Sequence, residues 1–130
     1  MTVSDTSAMI AGMTPELKPG RWVYCSSPNA IAIDGFATIR EDEGVTHILP
    51  FKAAEAAGHD VSVVMRLITL KIFSDLEGIG LTAAVASAFA SAAISCNVAA
   101  AYHHDHMFVG EADAERAVDV LVAVQKATRG

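Results

Sequence analysis

From Arg66 to Phe73 apolar and polar residues alternate, with Ile68, Leu70 and Ile72 on one side and Thr69 and Lys71 on the other. A period of two predicts a β-strand with one face on a core and the other wetter. The period then changes. In LTAAVASAFASAA, Leu81, Val85, Phe89 and Ala92 fall on one helical stripe, and the alanines around them allow close packing. NVAAAYH and HMFVG predict two more strands that meet near Asp105. The last element, from Glu111 onward, is a helix that turns Ala114, Ala117, Val118, Leu121 and Val124 inward and Arg116, Asp119 and Lys126 to water. Glu111, Asp113 and Glu115 crowd its start while Lys126 and Arg129 stand near its end, which suits the helix dipole.

The first half is richer in strands. WVYCS, from Trp22, is a strand, and a loop with Pro28, Asn29 and Gly35 follows. FATIRE and VTHILPF, joined by Asp42, Glu43 and Gly44, read as a hairpin. KAAEAAG is a short helix from Lys52, closed by Gly58. TPEL reads as a short helical turn, with Thr14 as cap and Pro15 in the first position, and Pro19–Gly20 fits a type II turn. Residues 1–13 lack periodicity and are expected to be a disordered tail. The remainder divides into an N-terminal half, 14–65, and a C-terminal half, 66–130. The expected fold is α+β, a two-layer α/β sandwich in which a largely antiparallel sheet carries its helices on one face.

Composition narrows the function classes. With 52% hydrophobic and 18% charged residues, the 130-residue chain can fill a core and is no disordered polymer. A formal net charge of -6 repels phosphate backbones, so no nucleic-acid partner is expected. The start, MTVSDTSAMI, has no secretory pattern, which predicts a cytoplasmic protein with Cys25 and Cys96 reduced and acting as small hydrophobes. Gly80–Tyr102 carries no formal charge and is long enough to span a bilayer, but it is mostly alanine and serine and is interrupted by ISCN, so no membrane span is expected.

Candidate chemistry is sparse. YHHDH, Tyr102 to His106, holds three of the five histidines. On a strand His104 and His106 share one face and His103 and Asp105 the other. A zinc site built on His104 and His106 needs further ligands from afar, such as His47 or His59. The segment also suits a hairpin bend or the lining of a small-molecule pocket. Ser74 and Thr82 have no nucleophile elbow around them, and EGIG is a lone glycine pattern. Glu41, Asp42 and Glu43 sit on a solvated bend. No catalytic residue and no cofactor are expected.

The stretch SDLEGIGLTAAVASAFASAAISCNVAA resembles the ACT domain, a βαββαβ regulatory module, through Asp75, Gly78 and Gly80, the helix from Leu81, then Ile94 and Asn97. The wider sequence, from about Leu17 to Ala127, is similar to small bacterial tandem-ACT proteins, with counterparts for REDEGVTHILP and HDHMFV. Leu76 and Glu77 stand where the family's turn often has proline before glycine, and the first half shows no first helix. The resemblance implies two ferredoxin-like, ACT-like halves, the first one trimmed. It also implies a non-enzymatic regulatory or sensor protein that binds an amino acid or related metabolite at the strand-to-helix turn. The residues nearest the guest would be Asp75, Glu77, Gly78, Ile79, Gly80 and Asn97. Glycines admit close approach of backbone N–H groups, and a helix start attracts a carboxylate. The implied partners are that small molecule and a homodimer mate or regulated protein. Two other classes compete: a metal-binding protein or metalloenzyme on the HHDH cluster, and a ligand-free dimerisation module.

Overall fold

The computed structural model of the protein describes residues 12–71 and 81–129. Seven strands, β1 (Thr14–Leu17), β2 (Trp22–Ser27), β3 (Ala37–Glu41), β4 (Gly44–Pro50), β5 (Met65–Lys71), β6 (Cys96–Ala100) and β7 (Asp105–Gly110), form one sheet. The helices are α1 (Phe51–Ala56), α2 (Leu81–Ser91) and α3 (Ala114–Arg129), the last preceded by a 3-10 turn, Glu111–Asp113. The strand order is β3-β4-β2-β5-β7-β6, with β1 also beside β5, and every pairing is antiparallel.

The helices cover one face, as a two-layer sandwich requires. α2 and α3 bury Val85, Phe89, Ala114, Ala117 and Leu121 against Ile68, Leu70, Met107 and Val109. α1 closes a smaller core of Val23, Cys25, Leu49 and Ala54, to which Ile31 and Ile33 add their side chains. These two residues belong to the segment between β2 and β3, which crosses that face where the other half carries α2. No helix lies between β2 and β3.

TPEL is not a helical turn. It is β1, with Thr14 opposite Lys71, Pro15 opposite Leu70, Glu16 opposite Thr69 and Leu17 opposite Ile68. Thr14 and Pro15 carry a genuine local helix-start signal, but a whole strand of pairing with β5 outweighs one capping bond. β1 has β5 as its one neighbour, and proline is tolerated on such an edge. Glu16 ties the edge down through ion pairs to Lys18 at 2.7 Å and Lys71 at 2.5 Å. Met13, just ahead of β1, is buried in the larger core, and its carbonyl accepts a hydrogen bond from the Gln125 amide of α3. β1 thus completes the C-terminal sheet, β6-β7-β5-β1, although it comes first in the chain. The N-terminal strands β3-β4-β2 join β5 through a single bridge, Trp22 to Met65.

The alternation along β5 predicts one wet face, yet Thr69 is only 2% exposed and Leu67 5%. The reason is tertiary. On the face without helices, Leu67 packs with Ile48 and Phe108, and Trp22, Phe36 and Met65 close over them. The Phe108 ring meets those of Trp22, Tyr24 and Phe36 edge to face at 6.2, 5.7 and 5.1 Å. Phe108 belongs to β7 and the other three rings to the N-terminal half, so this aromatic cluster binds the halves together.

Candidate functional site

The strand-to-helix site begins where β5 ends. Asp75, Glu77, Gly78, Ile79 and Gly80, five of the six residues expected nearest a guest, lie outside the described residues, as does Ser74. What is described is the rim: Leu70 on β5, Thr82 and Val85 in the first turns of α2, Val98 on β6, and Asp105 and Met107 on β7. Alternation along the strands brings them together. Asp105 is opposite both Leu70 and Ala100, and Val98 is opposite Met107, so these side chains share the face under α2. Between them is a cleft of about 10 Å³, on the order of what one water molecule needs.

Asp105 gives this rim its charge. It is half-buried, and burial raises its carboxyl above the ordinary 3.8, with His106 and His104 pulling the other way. Among the described residues no lysine or arginine lies within 4 Å of it. The Asp105 carboxylate therefore pays for burial without a strong cation beside it. Sequence reasoning grouped Asp105 with its histidine neighbours; its juxtaposition with Thr82 has no local signature, because the two residues meet only through β7 and α2.

Asn97, the sixth expected residue, is next to Val98 and so on the opposite face of β6. It is opposite Phe108, and its Nδ2 donates to Met65 Sδ at 3.9 Å. The structure therefore separates Asn97 from the cleft at the start of α2.

In YHHDH, Tyr102–His104 lie in the bend between β6 and β7, and Asp105 and His106 open β7. Ala100 is opposite Asp105, and the Ala101 N–H donates to the His104 carbonyl at 3.1 Å across Tyr102 and His103. His106 is on the aromatic face. Its Nδ1 is 3.0 Å from Thr69 Oγ1 and its ring is 5.1 Å from that of Phe36. Burial, followed by the charge of His104, holds His106 below the ordinary histidine value. The His103 and His104 ring centroids are 6.4 Å apart and tilted. His47, a suggested distant ligand, is buried between Thr38 Oγ1 at 3.3 Å and the Ile31 N–H at 3.4 Å. Among the described residues no three His, Cys, Asp or Glu side chains converge to hold a metal ion. The thiols are free: burial raises Cys25, helped by Asp60, and pushes Cys96 up to about 11. A thiol so shifted is protonated and a poor nucleophile at neutral pH. Among the described residues no helix is long and apolar enough to cross a membrane.

Comparison with known proteins agrees with this architecture. Two models of the ACT domain match the chain, one over residues 2–66 and the other over 62–123. The chain belongs to the ACT domain family. A Vibrio cholerae protein of unknown function, described as a possible transport protein, is 37% identical, covers 92% of this chain and 94% of its own, and superposes with a TM-score of 0.83. Two more distant structures share the fold. An Agrobacterium tumefaciens protein is 17% identical over 87% of this chain and 89% of its own, with a TM-score of 0.67. A structure of aspartokinase alpha and beta subunits is 10% identical over 87% of this chain and 98% of its own, with a TM-score of 0.62. No curated protein matches the chain significantly.

Proposed function

We propose that this is a non-enzymatic sensor that binds an amino acid or related small metabolite between β5 and α2. Asp75, Glu77, Gly78, Ile79 and Gly80 would stand nearest the guest, with Thr82 and Asp105 on the rim. Asn97 is on the other face of β6, and the proposal gives its place to Asp105. One observation carries the reading: in a chain of the ACT family, a half-buried carboxylate faces the start of α2 with no strong cation beside it among the described residues. An ammonium group placed there offsets the cost of burying the charge, and the helix start favours the guest's carboxylate. The cleft between the rim residues is small, so the link 72–80 would supply most of the contact. The proposal takes the halves as 14–65 and 66–130, the protein as cytoplasmic, and a homodimer mate or regulated protein as the receiver of the signal.

The test is a thermal-shift screen of the standard amino acids at millimolar concentration, followed by calorimetry. At least one should raise the melting temperature; at ten times Kd the gain is about 1.4 kcal/mol. Asp105→Asn should abolish that gain while making the free protein more stable at neutral pH. The sign follows from the raised carboxyl. Between 3.8 and the folded-state value the native protein binds more protons than the unfolded chain, so stability falls as pH rises through that window. Removing the charge recovers this loss, and below pH 3.8 the variant should have no such advantage. A screen without a single stabilising amino acid, or an undiminished affinity in Asp105→Asn, would overturn the proposal.

A further inference from the structure

A larger cavity lies at the other end of β5, near the bridge between Trp22 and Met65. It measures about 240 Å³ and is lined by Gly20, Arg21, Pro50, Phe51 and Lys52. From Met65 to Lys71 the strand advances roughly 20 Å, so this cavity is well separated from the end of β5 at Lys71. Its position follows from the register. Trp22 pairs with Pro50, and the Phe51 N–H donates to the Arg21 carbonyl at 2.9 Å, so the chain entering β2 and the chain leaving β4 meet there.

The charge is unusual for so acidic a chain. Arg21, just ahead of β2, and Lys52, in α1, share one cavity. Arg21 is held in place, its Cζ 3.9 Å above the Phe51 ring. Among the described residues the carboxylate beside Arg21 is that of Glu111, with Nε to Oε2 at 3.8 Å, too long for a hydrogen bond. Among the described residues no carboxylate comes within 4 Å of Lys52. Glu111 partly offsets Arg21, which leaves the cavity with a net charge closer to one than to two. Pro50 and the Phe51 ring make the rest of the lining apolar.

We infer that this cavity is a second binding site, which takes a small monocarboxylate with an aromatic or branched apolar body. The carboxylate lies between Arg21 and Lys52, and the body lies against Pro50 and Phe51. The fit is one of charge and shape. An inorganic anion would leave the apolar lining unused, and an ammonium compound would meet two cations. This site does not depend on the proposed sensor site.

Trp22 is the chain's single tryptophan and pairs with Pro50 of the lining, so its fluorescence is the first probe of occupancy. Benzoate titrated into the full chain, with excitation at the red edge of the indole band, should give a saturable change. Amide shifts at Gly20, Arg21 and Lys52 in heteronuclear NMR should follow the same curve. Benzylammonium of like size should give neither. Lys52 is exposed, so Lys52→Glu should fold normally and raise the benzoate midpoint about tenfold, as the loss and reversal of a surface charge pair predicts. Arg21→Gln should weaken binding in the same direction, and Asp105→Asn should leave it unchanged. No saturable response to benzoate, an equal response to benzylammonium, or an unchanged midpoint in Lys52→Glu would overturn the inference.

Discussion

Ala93 ends α2 in the left-handed region at φ 57°, a position that glycine usually holds. The Ile94 N–H reaches back to the Phe89 carbonyl at 2.9 Å and the Ala93 N–H to that of Ala90 at 3.0 Å, which is a Schellman ending. Ile94 and Phe89 are both buried in the larger core, so the ending is fixed by packing as well as by hydrogen bonds. A left-handed alanine costs roughly 1–2 kcal/mol, and glycine returns roughly 0.5–1 of that as unfolded-chain entropy. Ala93→Gly should therefore raise unfolding stability by about 0.5–1 kcal/mol, measured by urea titration. Other residues are constrained from outside. A Cβ on Gly35 would meet the Ile48 carbonyl oxygen at 2.6 Å, so backbone approach demands glycine there. Gly44 closes the hairpin at φ 150°, and the sequence marks it because DEG stands between two alternating runs. Gly35 carries no such mark, since its neighbour Ile48 comes from β4.

Among the elements, β1 is the one whose role is least local. It has four residues, yet it supplies the last strand of the C-terminal sheet and helps cover Ile68 and Leu70 with Leu17. The Arg66 Nη2 donates to the Lys18 carbonyl at 3.1 Å, just past its end. Removing residues 1–18 should expose that core and open an edge on β5. The expected result is loss of cooperative thermal unfolding, with association visible by light scattering; a truncated chain that unfolds like the full one would deny β1 this role. The periods of α2, α3 and β5 were legible in the sequence because each is set by residues within two turns or strand repeats. TPEL misled because its partner begins some fifty residues later.

For the whole molecule, the two halves share β5 and the ring cluster around Phe108, which is fully buried. Phe108→Ala should cost about 3–5 kcal/mol, and because it loosens the contact with Trp22, Tyr24 and Phe36 it should broaden one urea transition toward two. The alternation of apolar and polar residues, the helical stripes and the turn at Gly44 are properties of neighbours in the chain, so the sequence by itself determined the kinds of element everywhere but at TPEL, the antiparallel sandwich and the resemblance to the ACT domain. Only the tertiary structure decided that Thr69 is buried, that Asp105 faces α2 while Asn97 turns away, and that Arg21 and Lys52 share a cavity. Each of these depends on which distant strand lies alongside and with what register, and a one-residue slip in register would reverse the faces.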